Sequence, residues 1–159
     1  MKIRVGMGFD VHRLVEGRDL WMGGVKMEHS KGLLGHSDAD VLIHAICDAL
    51  LGAANMRDIG FHFPDTSGEF ENVDSKILLR KTVALIAGRG FSIGNVDATI
   101  CAERPKMNPA IPGMKKVLAE IMGVDEDDVS IKATTTEKLG YTGREEGISA
   151  YAVVLIEKH

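Results

Sequence analysis

The sequence predicts an α+β fold (an α/β layer), with one sheet and its helices packed on one face. Three observations predict it. Segments whose apolar residues alternate with period two recur through the chain. Stretches with helical period stand between them. Short links rich in Gly, Pro, Asn and Asp join the two kinds. Residues 1–159 read as a single domain, without internal repeat, low-complexity tract or linker.

The elements follow in order. From Lys2 to His12 the chain alternates, and Ile3, Val5, Met7, Phe9 and Val11 share one parity. That parity reads as the buried face of a strand. Asp10 and His12 point together to the other face, where Gly6 and Gly8 leave room. Alone, the pair reads as a polar strand edge, and a chemical role needs a third partner. "DLWMGGVKME" (19–28) reads as a hairpin around Gly23-Gly24. "HSDADVLIHAICDALLGAA" (36–54) is the clearest helix, capped by Ser37 or Asp38, with acidic residues in its first turn. Val41, Leu42, Ala45, Ile46, Ala49 and Leu50 give it a broad apolar face. Residues 58–70 read as a loop. A second helix runs from about Asp74 to Gly88, a strand covers 91–103, and a third helix runs from Pro112 to Gly123. Strands follow at 128–136 and 147–158, the last with Ile148, Ala150, Ala152 and Val154 on one face.

Composition narrows the function. Hydrophobic residues make up 45% and charged residues 26%, the balance of an ordinary globular protein. A net charge of −4 argues against nucleic acid as a partner, while a local basic patch still suits a phosphorylated small molecule. Cys47 and Cys101 lack the spacing of a disulfide framework or a zinc cluster, which fits a reducing compartment. No apolar run is long enough to span a membrane. The N-terminus has no signal-peptide core, so a cytoplasmic protein is expected, with earlier removal of a transit peptide left open.

Four segments carry candidate chemistry. His44, on the first helix, becomes a metal candidate once a strand offers Asp10 and His12. Two histidines and a carboxylate with a free fourth position form the catalytic zinc pattern. Asp40 and Asp48, one turn either side of His44, are candidates to orient its ring. "GHSDAD" (35–40) puts His36 and Ser37 before a helix N-terminus, where anions bind. In "KATTTEKLGYTGREEG" (132–147), hydroxyls at a strand end precede a carboxylate and a Gly-rich loop, which suits a phosphate with Mg²⁺. "ERPKMNP" (103–109) is a stiff cationic loop, fit for a turn or for the edge of a nucleotide pocket. These residues alone leave open a metal-dependent phosphohydrolase and a non-catalytic zinc-stabilised module that binds nucleotides or prenyl diphosphates.

"GFDVHR", "GLLGHSDADVLIHA", "DIGFHFPDT", "PKM" and "KATTTEKLGYTGREEGI" occur together and in order. With them the chain, from residue 3 to about 156, resembles the 2-C-methyl-D-erythritol 2,4-cyclodiphosphate synthase family. The resemblance implies a mixed, mostly four-stranded sheet, and a homotrimer with active sites between subunits. It implies that the 2-phosphate of 4-diphosphocytidyl-2-C-methyl-D-erythritol 2-phosphate attacks the β-phosphorus and releases CMP. It assigns Asp10, His12 and His44 to Zn²⁺ or another divalent transition metal, and Glu137 to Mg²⁺ or Mn²⁺. His36 and Thr135 match the residues that stabilise the transition state. Asp10, Val11, His12, His36 and Ser37 match positions at the substrate. Asp58, Ile59 and Gly60, then Phe63, Pro64, Asp65, Thr66 and Ser67, match the pocket for ribose and methylerythritol. Ala102, Glu103, Arg104 and Pro105, with Lys106, Met107 and Asn108, match the cytosine loop. Thr134, Thr135, Thr136 and Glu137 match the phosphate grip, and Tyr141 and Arg144 match further substrate positions. Arg144 and Glu146 also resemble residues beside a central cavity that holds isoprenoid diphosphates. Four positions depart from the family pattern: Ala39 stands where Gly is common, Ser67-Gly68 where Asp-Pro often follows "PDT", and His62 is an additional histidine.

Overall fold

Alternation builds a longer first strand than expected: β1 runs Lys2–Glu16 in the computed structural model, which describes residues 1–159. A short hairpin follows, β2 (Leu20–Met22) and β3 (Val25–Met27), then β4 (Lys31–Leu34). Next come α1 (Val41–Ala53), the single turn α2 (Ile59–His62) and α3 (Ser75–Gly88). The rest alternates: β5 (Phe91–Cys101), α4 (Ile111–Met122), β6 (Val129–Thr134), the turn α5 (Gly140–Gly143) and β7 (Gly147–Lys158). The main sheet has five strands in the order β4-β1-β7-β5-β6, all antiparallel except β5–β6, and β2–β3 stand apart. The expectation of mostly four strands misses β4, which pairs with Arg13–Glu16 at the sheet edge. "KGLL" is too short to show a period, and its glycine is needed. A side chain at Gly32 would meet the carbonyls of Arg18 and Asp19 at 2.3 Å.

The helices cover one face, as predicted, but they choose the glycine face of β1. A Cβ on Gly8 would lie 1.9 Å from the Ala45 carbonyl oxygen, and one on Gly6 would lie 2.0 Å from that of Ala49. Backbone therefore packs on backbone, with Ala45, Ala49 and Ala53 as the facing stripe of α1. The apolar parity of β1 is on the outside, with Ile3 55%, Val5 65% and Met7 64% exposed. Phe9 and Val11 continue it, and Tyr151 and Val153 of β7 join it, the Phe9 and Tyr151 rings standing 5.0 Å apart. This corrects the sequence reading, which buries that parity. Alternation tells which residues share a face, whereas the covered face is the one where α1 fits.

The core lies between α1, α3, α4 and the inner face of the sheet, where Ile148, Ala150, Ala152, Val154 and Ile156 of β7 are buried. α1 begins at Val41, later than residue 36, because Asp40 caps it, accepting from Ile43 N–H at 3.1 Å. The same buried carboxylate accepts from Gly23 N–H at 2.9 Å and Gly24 N–H at 2.7 Å, so it fastens the hairpin turn to the helix. Ser37 and Asp38 sit upstream of α1 and are not its caps, and its first turn holds no acidic residue. α3 begins as expected, on Asp74 as N-cap, and α4 ends at Gly123 in the left-handed region. The segment read as the loop 58–70 contains α2, capped by Asp58, which accepts from Phe61 N–H at 2.9 Å.

Two glycine substitutions should separate. Gly8→Ala forces β1 off α1 and is expected to cost about 3 kcal/mol. Gly52→Ala, in α1 with open space around it, should gain about 0.5–1 kcal/mol. Urea denaturation of the metal-free chain reads both.

Candidate active site

The approach of α1 to β1 brings three side chains together. Asp10 Oδ2 lies 3.0 Å from His12 Nε2 and 3.1 Å from His44 Nδ1, and the two ring nitrogens are 3.3 Å apart. Each residue of this triangle turns one donor atom to a common point. A tetrahedral zinc with ligands near 2.0–2.1 Å has ligand–ligand edges of about 3.3 Å, so the donor set and its spacing suit that ion with a fourth position open. The outer ring nitrogens are also held. His12 Nδ1–H donates to the Leu34 carbonyl at 2.9 Å, a bond that β4 supplies. His44 Nε2 lies 2.9 Å from Ser75 Oγ and 3.3 Å from Ser37 Oγ. Neither Asp40 nor Asp48 orients that ring, contrary to expectation. Asp40 is spent on the hairpin and the helix cap, and Asp48 accepts from Ile59 N–H at 2.8 Å, fixing the start of α2.

The triangle opens on a cleft of about 240 Å³. Of the expected residues, His36, Ser37, Ile59, Gly60, Phe63 and Asp65 line it. Val73, Leu78 and Phe70 line it too and were not anticipated. Asp74 as a helix cap could have flagged them, since Leu78 lies three residues after Ser75 on the same helix face. His36 Nε2 is buried there without a hydrogen-bond partner. Asp58, Pro64, Thr66 and Ser67 flank the cleft in sequence without lining it. Ser67 caps the turn at 68–70, and His62 turns away, its Nε2–H donating to the Met56 carbonyl at 2.7 Å.

The remaining expected residues form a second cluster. Ala102 N–H donates to the Thr134 carbonyl at 3.0 Å, and the Glu103 carboxylate accepts from Thr136 N–H at 3.3 Å and Lys138 N–H at 3.1 Å. Thr135 Oγ1 accepts from Glu137 N–H at 3.3 Å, and Glu137 itself is exposed, with φ 53°. Met107 is buried beneath the loop, while Arg104, Lys106 and Asn108 are exposed and Pro105 is half-buried. Strand register sets both clusters at one end of the sheet, since Val11, Ser149, Cys101 and Thr134 are successive partners across it. That row spans roughly 14 Å at the usual strand spacing. None of residues 102–108 or 134–137 lines the cleft of the same chain. Tyr141 borders a second hollow of about 310 Å³ with Val11, Arg13 and Glu146, and His12 lines both this hollow and the cleft. Arg144 pairs with Glu146 at 3.1 Å in solvent.

A family model, that of the YgbB family, matches residues 3–157. The chain belongs to the YgbB family. It is 76% identical over 158 residues to 2-C-methyl-D-erythritol 2,4-cyclodiphosphate synthase of Bacteroides fragilis, covering 99% of both chains. The solved Plasmodium falciparum IspF in complex with CDP superposes with a TM-score of 0.86 at 35% identity, over 99% of this chain and 97% of that one. The bifunctional IspDF of Campylobacter jejuni gives a TM-score of 0.95 at 40% identity, and the match spans 99% of this chain but 43% of that one. Ala39 stands where the resemblance expects Gly. Its φ of 58° lies in the left-handed region, where glycine is at ease and alanine costs roughly 1–2 kcal/mol.

Burial alone would raise the Asp10 carboxyl. Hydrogen bonds and positive charge from His12 and His44 overcome it and hold the group at about 2. Burial alone would lower His12, yet its contact with Asp10 raises it above 6.5. In the metal-free chain, the Asp10 contribution to stability is present above its unfolded value of 3.8 and is lost as pH falls through about 2. The His12 contribution is present below 6.5 and is lost as pH rises through its raised value. In proton NMR titrations of the metal-free chain, His12 should titrate above 6.5. In Asp10→Asn its titration should move down, because the Asp10 hydrogen bond and charge are gone and only the Leu34 carbonyl still opposes burial. An unmoved His12 would show that Asp10 does not set its charge.

Proposed function

We propose that the chain converts 4-diphosphocytidyl-2-C-methyl-D-erythritol 2-phosphate to 2-C-methyl-D-erythritol 2,4-cyclodiphosphate and CMP. One observation carries the reading: the Asp10–His12–His44 triangle faces the cleft, in a chain 76% identical to relatives named for this reaction. The bond that forms joins a 2-phosphate oxygen to the β-phosphorus, and the bond that breaks releases CMP. Asp10, His12 and His44 hold Zn²⁺ or another divalent transition metal, and Glu137 holds Mg²⁺ or Mn²⁺. When bound, these cations supply neutralisation of the approaching anions and polarisation of the phosphorus.

The residues of the chain supply the rest. The His36 ring, with its buried unpartnered nitrogen, donates to the substrate anion, and Thr135 contributes a hydroxyl to the developing charge. Ser37 faces the same anion. Ile59, Gly60 and Phe63 wall the methylerythritol, and Asp58 and residues 64–67 complete the lid around it. Holding the two phosphates together is worth up to roughly 7–11 kcal/mol in well-oriented cases. No side-chain base is required, because the attacking phosphate is already ionised. Residues 102–108 take the cytosine, Thr134 and Thr136 grip the diphosphate, and Tyr141 and Arg144 complete the contacts.

We further assign a homotrimer with sites between subunits. Two observations support it: the outer sheet face of Ile3, Val5, Met7, Phe9 and Val11 is apolar and exposed, and the metal cleft lacks the cytosine loop of its own chain. A neighbour's loop completes the site, and a central cavity near Arg144 and Glu146 receives isoprenoid diphosphates. The two free cysteines suit the cytoplasm, and no helix is long and apolar enough to cross a membrane.

Incubation with the diphosphocytidyl substrate and Mg²⁺, followed by phosphorus NMR, should yield CMP and a cyclic diphosphate without inorganic phosphate. Free phosphate would identify a hydrolase instead. His44→Ala should lose zinc and activity together, and full zinc occupancy in that variant would remove the triad assignment. Mixing it with an inactive variant within Pro105–Met107 should restore part of the activity through hybrid interfaces. Absence of rescue despite proven subunit exchange would place both halves of the site in one chain.

A further inference from the structure

Ser75 and Asp38 have no role in the reaction described above, yet they stand directly behind a metal ligand. His44 turns Nδ1 to the metal position and Nε2 to Ser75 Oγ, 2.9 Å away. Ser75 is fully buried. Its hydroxyl donates to Asp38 Oδ1, and its backbone N–H donates to Asp38 Oδ2 at 3.0 Å. A hydroxyl whose proton is committed to a carboxylate presents lone pairs to its other neighbour, so it accepts from His44 Nε2–H. The proton is thereby fixed on Nε2 and the Nδ1 lone pair is left for a cation. Ser37 Oγ is the longer contact, and it already accepts from Ala39 N–H at 3.1 Å.

Asp38 is itself held from two sides. Its Oδ1 accepts from Asp40 N–H at 3.1 Å, and its own N–H donates to the Val73 carbonyl at 3.2 Å. Asn72 N–H donates to the His36 carbonyl at 2.8 Å, one rung further along. The strip 36–40 and the entry to α3 are thus laced together immediately behind the metal position, and Val73 is part of the cleft wall.

We propose that Asp38 and Ser75 are positioning residues for the metal centre, a carboxylate–hydroxyl pair that sets the tautomer and the aim of His44. The inference rests on the metal reading of Asp10, His12 and His44 given above.

The test is zinc affinity of the full chain, measured by competition with a chromophoric chelator, alongside thermal melting of the metal-free form. Ser75→Ala should weaken zinc binding about 10–100-fold while lowering the metal-free melt modestly, as loss of one buried hydroxyl does. In the zinc-loaded protein, the imidazole Nε2–H signal of His44 should be sharp and slowly exchanging in wild type and lost in Ser75→Ala. Asp38→Asn, which keeps the shape and removes the charge, should move affinity in the same direction by less, and it decides the matter if Ser75→Ala does not fold. Zinc affinity in Ser75→Ala within about two-fold of wild type, against the 10–100-fold expected, would overturn the proposal. So would a lowered metal-free melt with unchanged zinc affinity. If wild type takes up no zinc, the triad reading fails and carries this inference with it. If wild type and Ser75→Ala bind alike, this inference alone fails.

Discussion

The whole site depends on one steric constraint: at Gly6 and Gly8, β1 offers no side chain to hold α1 away. Gly6 and Gly8 admit the Ala49 and Ala45 carbonyls to where a Cβ would stand. His44 is next to Ala45 in α1, and Asp10 is the next residue of the same parity after Gly8 in β1. Bringing the backbones this close is what puts His44 within 3.1 Å of Asp10. A bulkier seam would push the helix outward and pull the triangle apart. The other parts of the fold serve that placement. Asp40 fixes the helix start and the hairpin at once, and β4 supplies the carbonyl that aims His12.

Much of this was legible because periodicity is local. Parity alone puts Asp10 and His12 on one side of β1 with Gly6 and Gly8, and the helical period gives α1 its packed face. What alternation cannot state is which face the helices take. Ile3, Val5 and Met7 read as core by hydrophobicity, yet they are outside, because α1 carries its own apolar residues and needs a smooth floor. The start of α1 shows a second limit. Ser37, Asp38 and Asp40 are all good caps by type. The choice of Asp40 is tertiary, made by two N–H groups of a hairpin turn at Gly23-Gly24.

The site divides the same way. The metal-ligating types were visible, and the resemblance of five motifs in register gave each residue a provisional task. The partner behind His44 was not visible. Sequence neighbours Asp40 and Asp48 were the natural candidates, but Ser75 lies on another helix, and a lone serine at a helix start reads as ordinary capping chemistry. The two clusters of expected residues show a further limit. Register sets the Asp10–His12–His44 triangle and the threonine cluster at one end of the sheet, while no residue of the threonine cluster lines the cleft.

The outer sheet face has a consequence for the life of the molecule before it works. A freshly folded single chain displays Ile3, Val5, Met7 and Phe9 in one row, with Tyr151 and Val153 beside them. Such a surface is attractive to any other apolar surface nearby. In the homotrimer proposed above like copies would cover it, and such shielding obeys mass action, so dilution would uncover it and abundance conceal it. Under that assembly, the fate of a new chain would turn on whether encounters with kin outpace encounters with strangers.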